Sequence, residues 1–165
     1  MSAFDLLVRA VHVVCASLWV GATFFIAWFL IPALGDSGAD GGKVMAAVQK
    51  RGWIAVVPVI ATLTVLSGLW LYQPYVGNDG NAARLLGLGG VLGFVAFGIG
   101  IGFVRPAMDK ATKLITSTQT MTAGAERDAA MAKAAALRQR GLTLTRVVSL
   151  ILILAAILMT IAMYV

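Results

Sequence analysis

The sequence predicts an all-α integral membrane protein, an antiparallel four-helix bundle with both termini on the outer side. Of its 165 residues, 60% are hydrophobic and only 12% are charged, and the mean hydropathy is +0.92. Soluble domains are about 45–50% apolar and about 25% charged, so the composition excludes a soluble enzyme, a disordered chain and a disulfide scaffold. Four apolar stretches reach the roughly 20 residues that a spanning helix needs. The basic residues gather in two of the connecting segments.

The four stretches lie at about residues 4–31, 53–72, 85–104 and 142–165. Each is predicted to be a helix, because unpaired backbone polar groups cannot face lipid. The first stretch is expected to stop at Pro32, and Arg105-Pro106 closes the third apolar stretch. Acidic Asp5 and the length of the first apolar run favour a retained span over a signal peptide. We therefore expect a single transmembrane domain over residues 1–165, with no internal repeat apparent.

The distribution of lysine and arginine predicts the orientation. The N-terminus, the 73–84 loop and the C-terminus carry only Arg9 and Arg84, whereas the other two connections carry the remaining eleven of the 13 basic residues. Basic loops stay in the cytoplasm, which predicts a bacterial inner-membrane protein with both termini outside. The net charge of +6 then records topology and contact with the anionic lipid bilayer, and not nucleic-acid binding.

Two connections have contrasting compositions. Residues 105–141 form a basic segment rich in strong helix formers, so we expect the last two spans to extend through it as helices into the cytoplasm, with a break near residues 122–124. Residues 35–42 are rich in glycine and aspartate, which is typical of a mobile connection.

His12 is the only histidine, and it lies inside the first apolar stretch. It shares one predicted helix face with Asp5, Arg9, Cys15 and Trp19. Ionisable groups at this depth are costly and face the bundle interior. Three interpretations are open: a histidine hydrogen-bonded to a neighbouring helix beside an Asp5–Arg9 ion pair, a metal or haem ligand, and a proton relay.

Metal chemistry at His12 would draw on soft donors at comparable depth. The candidates are Cys15, Met159 and Met163. Together with histidine these residue types suit Cu(I), although methionine at helical spacing also fills core gaps. Haem b is the alternative cofactor, and one histidine limits it to His/Met ligation, five-coordinate iron, or His12 from two subunits. Arg9 and Arg84 are the candidates to hold haem propionates.

Helix-packing positions are predicted in the second and third stretches. Pro58 should kink the second helix, nearby hydroxyls should satisfy its carbonyls, and Gly68 should allow close approach of another helix. The third stretch contains two small-xxx-small pairs, which favour contact within the bundle or in a homodimer. These pairs are Gly89/Gly93 and Gly98/Gly102. No nucleophile or acid–base pair stands out, so an enzyme without a cofactor is not expected.

A family resemblance rests on the stretch from Arg9 through His12 and Trp19 to Gly21, an apolar run to Pro32, and then Arg51, Pro58 and Ser67-Gly68-Leu-Trp. This pattern resembles the copper-resistance protein D (CopD)-like superfamily of small four-helix membrane proteins. It is also distantly similar to the J-type protoporphyrinogen oxidases, which carry further histidines and have a lysine near the position of Arg84. The resemblance implies that His12 is a copper or haem ligand.

The predicted function is therefore that of a CopD-like protein that binds or passes copper at the outer side through His12. One alternative is a b-type haem-binding membrane protein or a haem-linked oxidoreductase. The other is a non-catalytic membrane subunit or scaffold without a cofactor, in which the glycine face and the basic helices bind a partner.

Overall fold

A computed structural model describes residues 2–165, apart from the side chains of Ala39 and Ile54, and this range is helical without strands. The helices are α1 (Ala3–Phe25), α2 (Ile31–Asp36), α3 (Gly38–Lys50), α4 (Trp53–Tyr72), α5 (Asn81–Ile99), α6 (Arg105–Thr118) and α7 (Ala125–Ile161). Two π-helical segments, Ile26–Leu30 and Gly100–Val104, join α1 to α2 and α5 to α6. The 3-10 turns Gln73–Tyr75 and Ala162–Tyr164 follow α4 and α7.

Four continuous helical rods within the described range are long and apolar enough to cross a membrane. They are Ala3–Asp36, Ala55–Tyr75, Asn81–Thr118 and Ala125–Tyr164. Large apolar side chains cover the outside of the bundle, with Phe25, Phe29 and Leu150 each more than half exposed. A soluble monomer would not present so much apolar surface. The all-α bundle is thus confirmed, and its surface indicates a multi-pass membrane protein.

The four rods form a square around a small core. Helix α1 neighbours α4 and α7, and α5 neighbours the same two helices from the opposite corner. The rings of Trp19 and Phe97 meet edge to face across the centre, with centroids 6.4 Å apart. The core consists of Trp19, Ala61, Ala96, Val148 and Leu152. The alanines on two of the four helices, Ala61 of α4 and Ala96 of α5, let those helices approach closely around one indole ring.

The bundle has two distinct ends. The terminal end contains Ser2, the turn at 76–80 and the last residues of the chain, as shown by the 5.4 Å contact between the rings of Phe4 and Trp70. The basic end contains the α2–α3 connection and the paired α6 and α7 segments. Both termini therefore lie at the same end, as an antiparallel four-helix bundle requires.

The first rod does not end at its proline, contrary to expectation. The rod of α1 continues through Pro32 to Asp36. The rod of α5 continues through Pro106 to Thr118, which confirms the predicted helical extension of the third span. A proline in a regular helix clashes with the carbonyl four residues earlier. Here a π turn, separated from each proline by one residue, widens the backbone by one residue and avoids the clash.

The structure contains an internal repeat that the sequence does not make apparent. A shift of 74 residues, from 26 to 100, relates the two π segments and also relates Pro32 to Pro106. A shift of 89 residues relates α4 and its 3-10 turn to residues 142–164, which also end in a 3-10 turn. Helix α1 pairs with α4 as α5 pairs with α7. No repeat is apparent in the sequence because the relationship lies in backbone geometry more than in side chains.

The basic end is more ordered than its composition predicts. Residues 119–124 interrupt the α6–α7 pair as expected near 122–124, and helical segments flank the break. Residues 35–42, expected to be a mobile connection, instead complete α2 and begin α3. Gly41 explains this correction, since a Cβ there would lie 1.9 Å from the Leu34 carbonyl oxygen. Glycine permits the tight approach of α2 and α3.

Candidate functional site

His12 joins α1 to α4 near the terminal end of the bundle. Its Nδ1 atom lies 2.9 Å from the Thr64 carbonyl oxygen and 3.1 Å from Ser67 Oγ. The imidazole is half-buried, and both α4 partners are buried. His12 lies nine residues beyond Ala3, or about 14 Å along the helix axis at 1.5 Å per residue. The histidine is therefore held at a fixed position and depth.

The hydrogen bonds define which nitrogen carries the proton. A carbonyl oxygen can only accept, so Nδ1 donates to Thr64. The Ser67 hydroxyl donates to the Leu63 carbonyl at 2.5 Å, which leaves its oxygen to accept from Nδ1 as well. In the neutral ring, Nε2 consequently carries a lone pair.

The ring lies against the backbone of Gly68. A Cβ built on this glycine would lie 2.9 Å from His12 Cε1 and 3.4 Å from Nδ1, closer than ordinary van der Waals contact. Any larger residue would push the imidazole away from its α4 partners. The predicted close approach at Gly68 is confirmed, and the approaching group is the His12 ring.

The outer nitrogen of His12 is open. Within residues 2–165, every fully buried side-chain nitrogen or oxygen has a hydrogen-bond partner. Nε2 has no such partner among these residues, so it is accessible at the surface of the bundle. Metal-binding histidines typically donate the other ring N–H to a carbonyl or carboxylate, which orients the ring and raises its basicity. His12 has this arrangement.

The other predicted metal ligands, Cys15, Met159 and Met163, do not gather around His12 as one group. Cys15 is half-buried one helical turn from His12 on α1. Met159 instead fills the space above Gly89, where a Cβ would lie 2.8 Å from its Cγ. Met163 is 75% exposed. The described part of the chain has no group of three His, Cys, Asp or Glu side chains able to hold a metal, so His12 and Cys15 are the candidates that share one place.

The charged residues near the terminal end differ from the predicted arrangement. Asp5 accepts hydrogen bonds from the Ser2 backbone and hydroxyl, completing a capping box at the start of α1. It also accepts one from Trp70 Nε1 at 3.4 Å. The predicted ion pair with Arg9 does not form among the residues described. The carboxylate of Asp5 is occupied by the helix cap and Trp70, and Arg9 and Arg84 are both exposed.

The glycines of the third span separate into two groups. Gly89, one of the predicted packing positions, lies inside the bundle against Met159 and Ala155 of α7. A Cβ on Gly93, Gly98 or Gly102 would meet nothing within 4 Å. These three positions are open on the single chain, and the predicted homodimer contact through them stays a prediction.

A second polar cluster, between α1 and α7 near the basic end, was not predicted. Trp28 Nε1 donates to Ser149 Oγ at 3.0 Å, and Arg146 Nε donates to the Ala27 carbonyl at 3.2 Å. The guanidinium carbon lies 5.2 Å from the centroid of the Trp28 ring. The sequence feature that indicates this cluster is Arg146, an ionisable residue inside the fourth apolar stretch that needs a polar partner. Arg146 also fits the charge bias of the basic end, and that bias does not require a partner inside the bundle.

A shallow groove of about 390 Å³ lies between α6 and α7, beyond the second cluster. Three lysines, Lys110, Lys113 and Lys133, line it. They are exposed and form no ion pair in the described range. Because water screens such charges strongly, the groove adds positive potential to the basic end but no defined binding geometry.

Fold and site together define a class: a helical multi-pass membrane protein that presents one oriented imidazole from its first spanning helix. Comparison with protein-family models, with curated proteins and with solved structures finds no match to this chain. The function therefore has to be inferred from the residues and their geometry.

Proposed function

We propose that this protein is a CopD-like membrane protein that binds copper at the outer side of a bacterial inner membrane through His12. The observation that carries the proposal is the hydrogen bond from Nδ1 to the Thr64 carbonyl, which leaves Nε2 open with its lone pair. Imidazole and thiolate are suitable ligands for Cu(I). Cys15, one turn along the same helix, is the nearest soft donor in sequence and the proposed second ligand.

The proposed orientation follows from charge. Ten of the 13 lysines and arginines belong to the connections at the basic end, and Arg146 lies near that end of α7. This bias favours a cytoplasmic location for the basic end. The site at His12 would then lie in the outer half of the membrane. Copper would reach it from the outside, in keeping with a role in binding or passing the metal at that face.

Copper binding is tested with detergent-purified protein loaded with Cu(I) under anaerobic, reducing conditions. We expect about one copper per chain by elemental analysis, and a loss of at least tenfold in affinity for His12→Gln, since one strong ligand is removed. Cys15→Ser should weaken binding less severely. Met131→Leu is the matched control, because this methionine is exposed and lies early in α7, at the basic end of the bundle. Copper retained in full by His12→Gln would refute the proposal.

Haem b is the second candidate, favoured by a specific observation. The described residues present one accessible imidazole without a cluster of further ligands, and haem iron requires only one axial histidine from the protein. Haem would supply redox or ligand-binding chemistry, with His12 as its holder. A Soret absorption band that disappears in His12→Gln would establish this alternative. Protein without copper or a Soret band, from cells supplied with both, would contradict both proposals.

A further inference from the structure

Arg146 is a cation placed inside the bundle without a matching anion. Its side chain is half-buried on α7, and Nε donates to the Ala27 carbonyl at 3.2 Å. Across the described chain, the ion pairs are Lys43–Asp40 and Arg105–Asp109. No acidic side chain of residues 2–165 therefore neutralises Arg146. Its two terminal nitrogens make no hydrogen bond to those residues, so four N–H donors stay available.

The π segment that follows α1, Ile26–Leu30, explains why Arg146 donates to the Ala27 carbonyl. In a π turn the N–H of residue i+5 bonds to the carbonyl of residue i, and Ile31 N–H indeed donates to Ile26. The next donor in this register would be residue 32, which is proline and has no N–H. The Ala27 carbonyl is consequently left without a helical donor. Arg146 supplies the missing donor and is thereby fixed at its Nε atom.

The indole ring of Trp28 lies beside the Arg146 guanidinium. Its Nε1 donates to Ser149 Oγ, and the Ser149 hydroxyl donates to the Arg146 carbonyl at 2.7 Å. Ser149 is fully buried, whereas Trp28 is 40% exposed. The indole is thus fixed at one edge and open at the other, with the guanidinium 5.2 Å from its centroid. A guanidinium stacks favourably on an aromatic face, so the Trp28 ring helps to fix the Arg146 side chain beside it.

Arg146 and Trp28 lie at the level along the bundle where lipid headgroups are expected. Trp28 lies 25 residues beyond Ala3 along one continuous rod, or about 38 Å at 1.5 Å per residue. The hydrocarbon core is about 30 Å thick. When the start of α1 lies at one interface, Trp28 and Arg146 lie at the opposite one. Tryptophan is enriched at this level of membrane proteins, where the phosphate groups of lipids are located.

We propose that Arg146 and Trp28 form a binding site for the phosphate of an anionic phospholipid in the leaflet at the basic end. A planar guanidinium pairs well with phosphate oxygens. The positive potential of the basic end, to which the exposed lysines of the α6–α7 groove contribute, would favour a headgroup with net negative charge. This inference rests on the proposed insertion in a membrane but is independent of copper or haem at His12.

The test is native mass spectrometry of the purified protein with phosphatidylglycerol or phosphatidylcholine in the detergent. We expect selective retention of phosphatidylglycerol, reduced about tenfold in Arg146→Gln because charge-assisted hydrogen bonds are lost. Arg140→Gln is the matched control, since it removes the same charge from an exposed position on the same helix. It should change retention less than about twofold. Arg146→Lys, which keeps the charge without the fork, should give an intermediate loss and serves if Arg146→Gln does not fold.

Three outcomes would overturn the proposal. Equal retention of the two lipids would show that the site does not select negative charge. Equal losses in Arg146→Gln and Arg140→Gln would show general attraction to the basic end in place of a site. Displacement of the lipid by millimolar inorganic phosphate would identify a free phosphate as the ligand. Copper and haem content, measured on the same samples, should be unchanged in Arg146→Gln, which separates this test from that of His12.

Discussion

Substitution of Gly68 by alanine should act through the His12 ring and nothing else. The added Cβ would lie 2.9 Å from Cε1, whereas ordinary contact begins at 3.4 Å. The ring must therefore move away by about half an ångström or more. It is held by hydrogen bonds of 2.9 and 3.1 Å to Thr64 and Ser67, and these must lengthen as it moves.

The expected free-energy change combines opposing terms. Crowding a packed helix contact costs about 1–3 kcal/mol, and a weakened hydrogen bond adds about 1 kcal/mol. The better helix propensity of alanine offsets about 1 kcal/mol. Gly68→Ala should therefore destabilise the protein by about 1–3 kcal/mol. In a His12→Ala background the ring is absent, so the same substitution should stabilise it by about 0.5–1 kcal/mol.

The assay is a double-mutant cycle of reversible unfolding in mixed micelles, followed by circular dichroism. Gly21→Ala is the matched control, because a Cβ at this helical glycine meets nothing within 4 Å and should be neutral or stabilising in both backgrounds. The coupling between positions 12 and 68 should reach about 2 kcal/mol, as for residues in direct contact. Equal destabilisation by Gly68→Ala with and without His12 would refute the proposed contact.

Three further predictions follow from the packing and are measured by the same unfolding assay. Pro32→Ala restores a backbone donor, so it should reduce the cost of Arg146→Gln by about 1 kcal/mol; an unchanged cost would mean that the proline does not orphan the Ala27 carbonyl. Gly89→Ala should cost about 1–3 kcal/mol because it meets α7, whereas Gly93→Ala should cost nothing, and equal effects would contradict the helix packing. Ser149→Ala should cost about 1 kcal/mol through the lost indole hydrogen bond, and a neutral result would show that Trp28 is not held there.

The fold could be predicted because its main determinants are local. Apolar stretches of sufficient length specify the spanning helices, and the predicted bounds of the second stretch coincide with α4, Trp53–Tyr72. The predicted end of the first helix at Pro32 was wrong, because a π turn accommodates this proline inside a continuous helix. The π turn that accommodates each proline involves the five preceding residues, and no residue type there marks it.

The site could be predicted in part. His12 stood out because one ionisable residue in an apolar helix needs a partner, and the hydrogen-bonded histidine among the open interpretations matches the structure. Its partners could not be derived, since they depend on the register between α1 and α4. Met159 looked like a ligand from depth alone, yet depth does not specify direction, and its side chain faces Gly89. Copper or haem at His12 stays a prediction.

The repeated arrangement of helical hairpins has a consequence for how the chain can be reconnected. Ser2, Val165 and the 76–80 turn lie at one end of the bundle. The first hairpin pairs α1 with α4 and the second pairs α5 with α7, and the contacts within each hairpin are more extensive than those between the hairpins. The order of the two hairpins along the chain is then interchangeable. A circular permutant, with a short flexible linker from Val165 to Ser2 and new termini opened at Asn78, should rebuild the same square of helices, with His12 on α4 and Arg146 against Trp28.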